Sequence, residues 1–202
     1  SIYFHVRSLS LLKEGAAAVV IATNKWLDTR YGVPLQEYLL GHSNIDMVLD
    51  SAHRSFSADV NTVITIIRKT RNSAMDNLVR FVYFKVPFEN VSGKLIQEVI
   101  SSKNKGLFLK DFYRLVARTQ KHLYEDGISE EEDSSEDSNE TLKTKKTRKA
   151  GKKTQDDEIY IGTKWGNLHL RAPPVYYEIL LRAGKKLTPL GKLYRIRRGS
   201  TS

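Results

Sequence analysis

The sequence predicts a mixed α/β fold in which mutually parallel strands carry one antiparallel neighbour, and three observations lead there. The run Ala16-Ala17-Ala18-Val19-Val20-Ile21-Ala22 is uninterrupted and apolar, as expected of a short strand buried on both faces of a parallel sheet. It changes at once to Asn24, Lys25 and Trp26 and then to an amphipathic helix through Leu35, Tyr38, Leu39 and Leu40. Two further β-rich runs, IDMVLDS (45–51) and VNTVITIIRK (60–69), are joined only by AHRSFSADV. A parallel crossover needs about a dozen residues or more, so the third strand is expected antiparallel beside the second.

The remaining elements follow in chain order. Ile2, Val6, Leu9 and Leu12 recur at helical spacing and Gly15 stands where a C′ glycine ends a helix. Pro34 marks the start of the next helix and Gly41 its stop. NLVRFVYFKV (77–86) reads as a strand closed by Pro87, followed by a helix over Val91–Lys103. Phe108, Phe112, Leu115, Val116, Thr119 and Leu123 form the stripe of a second helix, about Leu107 to Tyr124. Near the end of the chain Pro173 and Pro174 lead into a helix carrying Val175, Ile179 and Leu180, and KLYRIRRG (192–199) alternates as a strand would.

Between these parts, residues 129–157 contain one large apolar side chain, Leu142, in an acidic block followed by a basic one. Such a segment cannot bury enough apolar surface to offset its ordering entropy, so it is expected to be a disordered, solvated linker. A phosphorylated or partner-binding acidic tail is the alternative reading. Ser1 is no natural initiator and the chain runs out in Arg-Arg-Gly-Ser-Thr-Ser, so the 202 residues read as an excerpt.

Charge is unevenly placed. The net charge of +10 divides into +5 over residues 1–127, −2 over 128–157 and +7 over 158–202. A basic terminal segment is the footprint of polyanion binding, although a solvated lysine-rich face has the same composition. With no cysteine, disulfides, thiol catalysis and cysteine-ligated zinc are excluded. The nine residues Gly15–Thr23 are far fewer than the roughly 20 that span a bilayer, and a soluble, cytoplasmic protein is expected.

Several catalytic patterns are missing. The chain has no G-x-G-x-x-G, G-x-x-x-x-G-K-[ST], G-x-S-x-G or H-E-x-x-H. His5, His42, His53, His122 and His169 have no metal-ligand spacing, and Asp46 and Asp50 have no evident partner acid or base. APPVYY (172–177) imitates the tetrapeptide of exocyclic-amine DNA methyltransferases, but Ala172 stands where a hydrogen-bonding side chain is required.

The order YFHVRSLSLLKEG, AAAVVIATNKWLDTRYGVPLQEYLL, IDMVLDSAHRSF and DVNTVITIIRK nevertheless resembles the second half of the catalytic domain of adenine-specific DNA methyltransferases of type II, fused type IIG-like, restriction-modification systems. In that family a helix ending LLK-x-G-G precedes a strand with a polar-aromatic end, a helix with YG-x-x-L, a strand, a Phe-containing loop and an antiparallel strand. Ala16 replaces the second glycine here. KWGNLHLRAPPVYYEILLRAGKKLTPLGKLYRIRRG is similar to the opening of the specificity domain of the same enzymes.

The resemblance implies an α/β fold made of the second half of a Rossmann-like methyltransferase sheet with an antiparallel strand, then helices, a disordered charged linker and the beginning of a specificity domain. It divides the chain into residues 1–90 (catalytic half), 91–128 (connecting helices), 129–157 (linker) and 158–202 (start of the target-recognition domain). It also implies double-stranded DNA as partner, no membrane, and S-adenosylmethionine as cofactor of a full-length protein whose cofactor loop and amine-binding tetrapeptide are not among these residues.

The family position makes Phe56 the platform for an extruded adenine, with Asn24, Lys25 and Trp26 lining the strand end beside it. The DNA contacts expected are Arg30, Lys164, Arg171, Arg195, Arg197 and Arg198. Trp26 also fits a core position at a strand–helix junction, and Arg30 fits either a phosphate contact or cover for the helix start. A non-catalytic nucleic-acid-binding module is the alternative function. Limited proteolysis is expected to cut first within 129–157, and persistent amide protection there counts against the linker assignment.

Overall fold

The computed structural model describes residues 2–53, 61–71, 74–102, 106–129, 159–188 and 190–194. They fall into two units, Ser1–Leu170 and Arg171–Ser202. The first is a mixed α/β unit built on a six-stranded, mostly antiparallel sheet.

In chain order its elements are α1 (Ile2–Leu11), β1 (Ala17–Thr23), α2 (Val33–His42), β2 (Ser43–Ser51), β3 (Thr62–Lys69), β4 (Leu78–Phe84), α3 (Gly93–Ser101), β5 (Gly106–Leu109), β6 (Tyr113–Thr119), α4 (Gln120–Glu125), β7 (Ile128–Ser129) and β8 (Ile159–Tyr160). The large sheet has the order β1-β3-β2-β4-β6-β5. β3 is antiparallel to both β1 and β2, so those two run parallel to each other with β3 between them. The nine-residue connection therefore led to the correct direction for β3.

Three expectations are corrected. β1 is not buried on both faces, because it is an edge of the described sheet and has an antiparallel neighbour. Val20 is buried, but Val19 and Ile21 are 65% and 56% exposed. The stretch 107–124 is not one helix but the β5/β6 hairpin and the short α4. β6 lies between β4 and β5 and is buried on both faces, so it shows no period-two alternation, and its apolar residues coincide with a helical stripe. Phe112, expected on that stripe's buried face, is 58% exposed in the turn closed by Lys110 N–H donating to the Tyr113 carbonyl, 3.0 Å. Residues 91–128 thus add two strands to the main sheet rather than merely connecting domains.

α3 lays Leu95 and Val99 on a core of Met47, Val82, Phe84, Tyr113 and Leu115, and Ser92 caps it by accepting from Leu95 N. At the start of β2 the chain passes from helix to strand without a loop. Gln120 makes this possible: its Nε2 donates to the Leu40 and Ser43 carbonyls, each at 3.1 Å, and its Oε1 accepts from Ile45 N at 2.8 Å. The carbonyls that a helix end leaves unpaired are thereby satisfied inside the core.

The charged segment does not separate two folded units. The chain leaves at β7 and returns at β8, which pair antiparallel as Ile128↔Tyr160 and Ser129↔Ile159. Residues 159–170 then pack in the first unit, so its boundary is at 170/171 rather than at 157/158. The expected disorder of 129–157 falls almost entirely outside the described residues.

In the second unit, Pro173 is extended and Pro174 opens α5 (Pro174–Ala183), as the sequence predicts. The expected strand over 192–199 begins instead within a short helix, α6 (Leu190–Leu193), where Tyr194 N donates to the Leu190 carbonyl at 2.9 Å. Its residues 195–199 lie outside the described ones.

Because Ser129 and Ile159 already face each other, replacing residues 130–158 by Asn-Gly is expected to close a hairpin. Shortening the loop removes closure entropy worth about 2 kcal/mol. The melting temperature is expected to hold or rise by a few degrees; a cooperative unit that no longer forms would refute the closure at β7/β8.

Candidate nucleic-acid interface

The carboxyl end of β1 runs directly into a 3₁₀ turn, Asn24–Leu27, and a second, Arg30–Gly32. Local bonds fix this path. Asn24 N donates to the Asn61 carbonyl at 3.0 Å, while the Lys25 carbonyl accepts from Thr29 Oγ1 at 2.7 Å and from the amides of Asp28 and Thr29, each at 3.2 Å. Gly32 is required there: a Cβ on it would stand 1.8 Å from the Trp26 carbonyl oxygen.

The path puts successive side chains in opposite environments. Trp26 and Leu27 are fully buried, whereas Lys25 and Arg30 are exposed and Asn24 is half-buried. The same division recurs after the charged segment, where Lys164 is exposed and Trp165 is fully buried. The two indoles meet edge to face with centroids 6.0 Å apart. His5 lies 5.3 Å beyond Trp26, Phe81 lies 5.9 Å beyond Trp165, and His169 lies 4.7 Å from Phe81. This is one continuous row of packed rings. Neither indole N–H has an acceptor among the described residues, so packing rather than a polar bond holds both rings.

Gln36, on the buried face of α2, ties the two segments together. Its Nε2 donates to the Leu27 carbonyl at 3.1 Å and the Thr163 carbonyl at 3.0 Å; its Oε1 accepts from Thr163 N and Tyr160 Oη, each at 3.3 Å. Asp28 adds a second tie, its Oδ1 accepting from Asn167 N at 2.8 Å. Gly162, at φ +73°, lets the strap pass α2, since a Cβ would stand 2.8 Å from Val33 and 2.9 Å from Gln36. The buried Arg114 guanidinium donates to the Leu170 carbonyl and lies over the Tyr83 ring, 5.2 Å from its centroid.

Lys25 and Lys164 are thus exposed, each directly before one of the two packed indoles, and Arg30 is exposed in the second turn after β1. Trp26, expected beside the base pocket, is fully buried with the rings of His5 and Trp165 against it. Arg171 is half-buried and belongs to the second unit. Phe56, Arg195, Arg197 and Arg198 lie outside the described residues.

No family model and no curated protein matches the chain. Two solved structures similar to it are restriction-modification enzymes. The type IIG restriction endonuclease BpuSI shares 14% identity over 60% of this chain and 14% of its own, with a TM-score of 0.49. A modification subunit of a putative type I restriction enzyme from Vibrio vulnificus YJ016 shares 12% identity over 65% of this chain and 29% of its own, with a TM-score of 0.46. The chain thus spans less than a third of the length of either.

No group of three potential metal ligands occurs among the described residues, and no described helix is long and apolar enough to cross a membrane. A cavity of about 480 Å³ is lined by Pro34, Glu37, Tyr38, His42 and Tyr124, along α2 toward the first residue of β2 and away from its carboxyl end.

Sequence reasoning missed Gln36, whose place in a helix gave no sign of burial, and His169. The repeated Lys-Trp dipeptide was a usable signal for Trp165. Burial, reinforced by the Arg118 charge, pushes the His169 pKa down to about 3. The unfolded chain takes up this proton near the ordinary value of 6.5 while the folded chain refuses it, so stability is fully present above about pH 6.5 and is lost as pH falls toward 3. His169→Gln is expected to flatten the acid side of a urea-denaturation pH series by up to one proton; an unchanged slope would show that His169 does not titrate this way.

Proposed function

We propose that this chain is part of a site-specific DNA adenine methyltransferase of a restriction-modification system, contributing the second half of the catalytic fold and the start of a target-recognition domain. The supporting observation is the strand arrangement β1-β3-β2, an antiparallel strand between two mutually parallel ones. The sequence resemblance requires that direction for the third strand, and at the carboxyl end of β1 the chain carries a polar, cationic turn where open α/β sheets bind ligands.

On this reading the reaction moves a methyl group from S-adenosylmethionine to the exocyclic amine of an adenine extruded from the duplex. The described residues do not fit the cofactor. The turn after β1 is a glycine-free 3₁₀ turn, and the positive-φ glycines Gly15, Gly106 and Gly162 are isolated from one another. Its binding, like the amine-holding tetrapeptide, belongs to a longer protein. What this chain supplies is the DNA side: Phe56 as stacking platform, Asn24 and Lys25 beside it, and Arg30, Lys164, Arg171, Arg195, Arg197 and Arg198 toward phosphates. The burial of Trp26 favours the second reading, a nucleic-acid-binding module without chemistry, because it removes one aromatic from the base pocket.

Methyl transfer to duplex DNA by the full-length enzyme separates the two. Phe56→Ala is expected to remove a stacking contribution of about 1–3 kcal/mol and to slow methylation roughly ten- to hundredfold, with cofactor affinity unchanged. Phe56→Trp should retain most activity. If both variants instead lower the melting temperature by several degrees, Phe56 is a core anchor and the platform assignment is wrong.

A further inference from the structure

We propose that Gln36 is a positioning residue that makes Lys25 and Lys164 act as one phosphate-binding pair. This inference rests on the reading of the chain as a DNA-binding part of a methyltransferase, but it assigns a role to a residue that touches no DNA.

The two lysines are far apart in sequence, on opposite sides of the charged segment, yet the backbone beside each is bonded to the same side-chain amide. Leu27, two residues after Lys25, and Thr163, one residue before Lys164, both accept from Gln36 Nε2, at 3.1 and 3.0 Å. The amide is 1% exposed, so water does not compete for these bonds. Its oxygen is engaged as well, by Thr163 N and Tyr160 Oη. With donors and acceptor both used, the amide cannot rotate without losing bonds in the core.

Two further constraints act on the same pair. The Trp26–Trp165 contact sets the distance between the residues that directly follow each lysine, and Asp28 Oδ1 holds Asn167 N. Asp28 keeps its charge in this bond, and the exposed Lys25, Arg30 and Lys164 outnumber it. Long lysine side chains ordinarily lose rotamer entropy on binding. A shared rigid base removes the backbone part of that loss, and it makes the benefit of one lysine depend on the other.

The test uses the 202-residue chain and a fluorescein-labelled duplex, with binding measured by anisotropy from low to physiological salt. Lys25→Ala and Lys164→Ala are each expected to lower the salt slope by about one phosphate contact. The double variant should lose at least about threefold less affinity than the product of the single losses, the sign of coupled groups. Gln36→Met removes the amide while nearly keeping its volume. It should reduce the salt slope although both lysines are present, and in that background the two lysine losses should become multiplicative.

If Gln36→Met fails to fold, Asp28→Ala, which cuts the second tie alone, should reduce the coupling in part. A wild-type slope and coupling in Gln36→Met, independent lysine losses in the wild type, or no salt-dependent binding by the wild type would each overturn the proposal. Methylation by the full-length enzyme is read separately. Retained methyl transfer with no coupling defeats the pair alone, whereas coupling without methyl transfer defeats the methyltransferase reading alone.

Discussion

The first unit depends on a single amide. Gln36 is buried, and a buried amide left without partners is destabilising by about 1–3 kcal/mol per unsatisfied group. Here every demand is met, and all the partners lie in two segments, 26–27 and 160–163. The bonds therefore do more than satisfy the glutamine. They fix where the chain re-enters after the charged segment, and with it the position of Trp165 between Trp26 and Phe81. Gln120 plays a corresponding part at the start of β2, where it joins α2, β2 and Asn77. Two buried side-chain amides thus fix junctions at which the chain changes element.

The sequence was most legible where a local rule had few competitors. The short connection before β3 dictated its direction, and Pro34 and Pro174 marked helix starts. It was least legible where burial erased periodicity. β6 is covered on both faces and crossed by residues that mimic a helix, and β1 looks like a central strand because its apolar run says nothing about which neighbours are present. Of the candidate site, Lys25, Arg30 and Lys164 were singled out alongside the resemblance, and each is exposed. Trp26 was ambiguous because an aromatic at a strand end serves equally as platform or anchor, and only the position of Trp165, far away in sequence, decides between them.

The placement of the charged segment changes what its composition means. A polar stretch between two patterned regions resembles an interdomain connector, yet here both its ends are clasped in a two-stranded ribbon and its downstream flank belongs to the upstream core. Its length therefore bears on the unit around it through loop closure alone. The slow, logarithmic growth of closure entropy with length explains how such a segment can be carried at little thermodynamic expense.

The free side of β1 has a further consequence. The opposite edge, β5, is only four residues long and is followed at once by Lys110 and Asp111. β1 is seven residues of alanine, valine, isoleucine and threonine with no charge, proline or bulge, and natural sheets use those devices to keep foreign strands away. Among the described residues no such device guards this edge against the addition of another strand. A single lysine at the exposed Val19 or Ile21 is the smallest change that turns this open border into a guarded one.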